Sequence, residues 1–247
     1  LHIISARGTS LLAAMRSLDL PWVSDCTHVM MNAVKDLFGQ DEALSKLSAS
    51  IGQLRGRFML TDWGYLLPPA LRDKDRFLRI LTIVQWAGRM DDYWAKLPAK
   101  ARQHIAFYRK AWPLMRRLRQ VRELIVVASS ILKTAGLSEY SHQRWRKRVD
   151  QYLNTQKVVT KQAKAFIKRI DDYFESHATL YQGQSQLLCC SDIIESTFSR
   201  YKNKGGMKAI SADVLSIALY NQNITGEFVQ SALSSTSCQA VDEWQEQ

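Results

Sequence analysis

The sequence predicts a mainly α-helical protein with a small α/β core of two short parallel strands, interrupted by a large all-α insertion. Three observations predict it. Two strand-like runs alternate with two helical patterns in the first 38 residues; helical periodicity then runs almost unbroken from Asp41 to about Gln186; a short helical pattern resumes after Gly183. Strands separated by a helix are expected to lie parallel, because that connection is a crossover rather than a hairpin.

Leu1 to Ser5 is apolar and β-branched and stops at Arg7-Gly8, as a buried strand does. Thr9 to Leu18 places Leu11, Leu12, Met15 and Leu18 at helical spacing, Pro21 to Ser24 reads as the second strand, and Thr27 to Phe38 as a helix with Val29, Met30, Ala33, Val34 and Leu37 on one face. Two strands alone make a poor sheet, so further strands are expected upstream of residue 1. The opening residues read as the middle of a longer protein.

The helical stretch is punctuated at Pro68-Pro69, Pro98, Pro113, Gly136 and Gly183. Apolar stripes such as Phe77, Ile80, Leu81 and Val84 alternate with basic clusters, Arg116, Arg117, Arg119, Arg122 and then Arg144, Arg146, Lys147, Arg148. Lys157, Lys161, Lys164 and Lys168 recur at three- and four-residue spacing, which predicts one lysine row on one helix. Helices are predicted at Ser191–Lys202 and Ser211–Tyr220, and a loose tail from Ser231 apart from Trp244.

Lys and Arg number 34 against 23 Asp and Glu, a net charge of +11 that favours polyanionic partners, nucleic acid first. A solvated basic surface explains the same count equally well, so position has to decide. No apolar run reaches the roughly 18 residues of a membrane span, which argues against a membrane partner. The four cysteines, Cys26, Cys189, Cys190 and Cys238, show no framework spacing, which fits a reducing compartment. With His28 and His177 they make a poor zinc set, because the C-x2-C spacing is missing. Of Trp63, Trp86, Trp94, Trp112 and Trp145 most are expected in the core; Trp145 sits in the most basic segment.

Three segments carry the chemistry: Ile3-Ile4-Ser5-Ala6-Arg7-Gly8-Thr9, Asp25-Cys26-Thr27-His28, and Ser191-Asp192-Ile193-Ile194-Glu195-Ser196-Thr197-Phe198. In order and spacing they resemble the C-terminal part of the catalytic domain of DDE transposases. The resemblance is to the RNase H-like (retroviral integrase) superfamily, in the groups with a helical insertion before the last carboxylate: Mutator-like and hAT-like elements and related bacterial insertion-sequence transposases. It implies an RNase H-like core at 1–40, the insertion at 41–186, C-terminal core helices at 187–230 and a tail at 231–247. Ala6 takes the position of the second catalytic Asp, and the first Asp would lie upstream of residue 1. Glu195 takes the position of the third carboxylate and metal ligand, with Asp25, His28 and Asn32 in support. Arg144, Arg146, Lys147, Arg148 and Lys202 become the candidate DNA contacts, and the resemblance also implies one tryptophan of the helical insertion stacking on an unpaired base, with Trp145 singled out by its basic segment.

The implied activity is DNA transposition, with Mg²⁺ or Mn²⁺ as cofactor and transposon ends and target DNA as partners. Homo-oligomers on paired ends are also implied, in the nucleoid-associated cytoplasm of a bacterium or the nucleus of a eukaryote. Two metal ions about 3.5–4 Å apart activate the nucleophile and stabilise the leaving oxygen, and a methyl side chain at Ala6 ligates neither. The chain is therefore expected to be inactive and to bind such ions poorly. Natural decay and deliberate inactivation both account for Ala6. A transposase-derived DNA-binding protein without catalysis is the alternative, and a basic helical scaffold a third. Asp192 and Glu195 also fit a capping box, with Asp192 as the cap.

Overall fold

The computed structural model describes residues 2–5, 13, 17, 21–71, 76–183, 186–203, 223–237 and 239, with backbone alone at 5, 76–78, 193, 202 and 203. Among these residues the fold is mainly helical, with two short strands, β1 (Ile3–Ser5) and β2 (Trp22–Ser24). They pair in parallel as predicted, Ile3 opposite Trp22, Ile4 opposite Val23 and Ser5 opposite Ser24. Residues 13 and 17 are helical; Ala6, the rest of the predicted helix from Thr9 to Leu18, the predicted helix Ser211–Tyr220 and Trp244 lie outside the described residues.

The chain divides into two compact units, Leu1–Cys190 and Ser191–Gln247. In the first unit β2 leads directly into α1 (Cys26–Phe38), followed by α2 (Glu42–Phe58), α3 (Arg76–Tyr93), α4 (Ala99–Ile105), α5 (Phe107–Lys110), α6 (Trp112–Ala135), α7 (Glu139–Thr155), α8 (Lys161–Ser176) and α9 (Ala178–Tyr181). Local chemistry explains several of the boundaries. Asp25, Asp41, Ser138 and Thr160 each accept a backbone N–H from the first turn of α1, α2, α7 and α8. α2 buries Leu44, Leu47, Ile51, Leu54 and Phe58, one stripe at alternating three- and four-residue spacing.

The core is organised around α6, the longest helix described, which packs against α8, α7, α3 and α1. It buries Leu114, Met115, Leu118, Val121, Leu124, Ile125, Ala128, Ile131 and Leu132, a band wide enough to serve several neighbours. α6 ends at Gly136, whose φ of +56° is left-handed, and a Cβ there would stand 2.2 Å from the carbonyl oxygen of Leu187. Leu137 and Leu187 exchange two backbone hydrogen bonds at 2.8 Å, which fastens residues 187–190 alongside the end of α6.

The predicted lysine row is corrected. α7 stops at Thr155 and α8 starts at Lys161, so Lys157 lies in the linker while Lys161, Lys164 and Lys168 are helical. The buried amide of Gln120 on α6 fixes that linker, donating to Val158 O at 2.7 Å and accepting from the Thr160 N–H at 2.8 Å. Lys168 is further engaged by Asp172 at 2.8 Å.

The second unit contributes α10 (Asp192–Asn203) and α11 (Gly226–Ser235). α11 includes residues 231–235, which composition assigned to a loose tail. Thr225 accepts the Phe228 N–H at 3.1 Å and starts the helix, a cap that outweighs the Ser-rich composition downstream.

Candidate functional site

Two regions of the first unit concentrate polar side chains. One lies at the end of β2. Asp25 is fully buried, and its Oδ1 accepts the His28 N–H at 2.9 Å and stands 3.1 Å from His28 Nδ1. His28 is partly exposed and Asn32, one turn further along α1, is exposed. The three supporting residues therefore share the start of one helix, with the carboxylate acting as its cap.

The neighbouring backbone is held from α8. Tyr173 donates its hydroxyl to Ser24 O at 2.7 Å, and the Ser24 N–H donates to His177 Nε2 at 3.3 Å. His177 Nδ1 is 2.8 Å from Tyr173 O, an acceptor only, so the ring is assigned as the neutral Nδ1–H tautomer. At Ser24 side chains thus satisfy backbone groups that a further strand would take on that edge of β2. Cys189 O accepts the Cys26 N–H at 2.8 Å, and the thiol of Cys189, together with burial, holds the Cys26 thiol well above its ordinary value. Cys26 is accordingly a protonated core thiol rather than a thiolate ligand.

Glu195 belongs to the second unit, exposed on the first turn of α10. Ser191 Oγ donates to Glu195 Oε1 at 3.2 Å, and the Glu195 N–H donates to Ser191 O at 3.0 Å. Asp192 is the first helical residue of α10. Of the residues that the resemblance assigns to a metal site, residue 6 carries only a methyl, and Asp25 is buried and engaged by His28. Among the described residues no group of three or more His, Cys, Asp and Glu is arranged to hold a metal ion.

The other region is basic. Arg144, Lys147 and Arg148 of α7, with Tyr140, Gln143 and Gln151, line an open groove of about 560 Å³ against Ser130 and Ile131 of α6. No carboxylate lines it, and among the described residues none of these three cations forms an ion pair. Arg146, between them in sequence, points elsewhere and reaches Glu175 of α8 at 3.5 Å. The backbone of Lys202 lies in α10, and its side chain is outside the described residues.

Arg148 also borders a second open groove of about 670 Å³ between α3 and α6, lined by Arg89, Arg119 and Arg122 and by Asp92 and Glu123. Much of the earlier basic cluster on α6 is already neutralised. Arg117 binds Asp41 at 2.5 Å, and Arg119 binds Asp91 at 2.5 Å while lying 5.2 Å from the centre of the Trp112 ring. Sequence reasoning missed Arg89 and Tyr140. The signal for Tyr140 was its position four, seven and eight residues before Arg144, Lys147 and Arg148, one face of a helix.

Trp145 is corrected as a stacking candidate. It is fully buried and donates its indole N–H to Asp171 at 2.8 Å. Trp86 is buried too, donating to Leu66 O, and Trp112 is the tryptophan of the helical block that stays exposed. Among the described residues no helix is long and apolar enough to cross a membrane. Comparison of the chain with protein-family models, with curated proteins and with solved structures finds no match.

Proposed function

We propose that the chain is a DNA-binding part of a DDE-type transposase, holding DNA phosphates on the surface formed by α6 and α7. The observation that carries the DNA reading is the α6–α7 groove: three exposed cations that, among the described residues, have no acidic partner, in a lining that holds no carboxylate. Cations held near one another and left unneutralised by the fold are available to displace counterions from a phosphate backbone. The transposase part is supported by the order of the elements. A parallel strand pair leads into Asp25 and His28, a long helical block follows, and then a helix carries Glu195.

The test is fluorescence anisotropy with a labelled duplex carrying a single-stranded tail, titrated with salt. The logarithm of affinity is expected to fall linearly with the logarithm of salt concentration. Replacing Arg144, Lys147 and Arg148 by Ala is expected to flatten that slope by about two to three, since each phosphate contact contributes roughly 0.7–0.9. An unchanged slope in a folded variant overturns the assignment.

A transposase-derived protein that binds without cutting is the second reading, favoured by Ala6 and by the use of Asp25 as a buried cap. No strand nicking with Mn²⁺ is expected. Nicking that disappears in Glu195→Gln would overturn this second reading and restore Glu195 to a catalytic role.

A further inference from the structure

The groove between α6 and α7 has a shape and an aromatic edge that a plain phosphate-binding surface does not need. Tyr140, Arg144, Lys147, Arg148 and Gln151 fall at i, i+4, i+7, i+8 and i+11, so they form one stripe along α7. The opposite face of the helix, with Trp145, Val149 and Tyr152, is spent on the core. Tyr140 opens the stripe with 65% of its surface exposed, although a tyrosine that only packed would bury its ring. Gln143 and Gln151 add amides that donate and accept, and Ser130 adds a hydroxyl.

We propose that this groove is a binding site for single-stranded DNA, with Tyr140 stacking on a base and Arg144, Lys147 and Arg148 following the backbone. The proposal rests on the DNA reading above. A volume of about 560 Å³ is that of a site for a small ligand or a short strand. A duplex keeps its bases stacked inside and offers Tyr140 no free π-face, whereas an unpaired strand does. From Tyr140 to Gln151 the helix rises about 16 Å at 1.5 Å per residue. That is the length of roughly five nucleotides stacked at 3.4 Å. An aromatic platform beside a row of cations is the arrangement by which unpaired strands are held without sequence preference, since every base offers a π-face. The groove between α3 and α6 carries Asp92 and Glu123 among its cations and has no exposed aromatic in its lining, so it suits a strand less well.

The experiment uses the full chain and three labelled probes at one salt concentration: (dT)8, (rU)8 and a blunt 16-base-pair duplex. The expected result is that (dT)8 binds at least about tenfold more tightly than the duplex. Tyr140→Ala should lose about tenfold on (dT)8 and under twofold on the duplex, and Tyr140→Phe should retain wild-type affinity, because stacking needs the ring and not the hydroxyl. Tyr140 is exposed, so thermal melting of Tyr140→Ala should match the wild type. A (dT)8 probe carrying 5-iodouracil should crosslink at Tyr140.

Equal or tighter duplex binding, or a Tyr140→Ala variant with unchanged (dT)8 affinity, overturns the single-strand site. Duplex binding weakened by Arg144→Ala with Lys147→Ala would still leave the DNA reading standing. Tighter binding of (rU)8 than of (dT)8 overturns the assignment to DNA. Failure of the wild-type chain to bind any of the three probes overturns both proposals.

Discussion

The end of β2 and the α6–α7 groove are both rich in polar side chains, yet they treat them in opposite ways. At the strand end Asp25, Ser24, Tyr173 and His177 are buried, and their hydrogen bonds close on one another and on the backbone. In the groove Arg144, Lys147 and Arg148 are exposed, and among the described residues no carboxylate answers them. A buried polar group left without a partner costs about 1–3 kcal/mol, so the interior must consume its own chemistry. A surface cation costs the fold almost nothing and is free for a ligand. Polar residues at the strand end are therefore expected to govern stability, and those in the groove to govern binding.

The largest effect is expected where residues 187–190 are fastened behind the strand end. Gly136→Ala forces a side chain into a left-handed backbone and against Leu187 O, for which neither partner has room. A loss of about 3 kcal/mol or more is expected in urea unfolding. A variant within about 1 kcal/mol of wild type would show that the Leu137–Leu187 junction gives way without disturbing the rest.

Next in size is Asp25→Ala, which removes the cap of α1 and the partner of the His28 ring. A cost of about 2 kcal/mol is expected, with DNA affinity unchanged once the protein is folded. A folded, equally stable variant that had lost DNA binding would break the comparison, since Asp25 would then be serving the ligand rather than the fold.

A smaller effect is expected from pH. His142 is buried with its ring stacked on Phe174 at 4.7 Å, and burial, then the nearby Arg146 charge, lowers its pKa below the ordinary value. The unfolded chain therefore takes up a proton more readily than the folded one, and stability rises with pH through this group. Its contribution is complete above about pH 6.5 and is lost as the pH falls through and below that value. His142→Phe keeps a stacked ring and removes the titration, so its urea midpoint should vary less between pH 7.5 and 5. Identical pH profiles for the two proteins would discard this residue as a source.

Smallest of all should be the stability change on replacing Arg144, Lys147 and Arg148 together by Ala, within about 0.5 kcal/mol per site. A cooperative loss well beyond that would mean that the groove cations support α7, and the contrast between the two regions would fail.

The sequence by itself determined the helical character, the two parallel strands and the basic character of α7, because each follows from a local period or a residue's own chemistry. Leu44, Leu47, Ile51, Leu54 and Phe58 announce a buried stripe without any knowledge of what covers it. Only the tertiary structure decided which cations remain available: Arg117, Arg119 and Arg146 find carboxylates brought from other elements, whereas among the described residues Arg144, Lys147 and Arg148 do not. It also decided that Trp145 is core while Tyr140 faces the groove, and that Gln120 ends the lysine row by fixing the linker before α8. The physical reason is range. Propensity, capping and periodicity act within a turn or two of helix, whereas neutralising a charge or covering a ring depends on a partner tens of residues away, as Asp41 is from Arg117.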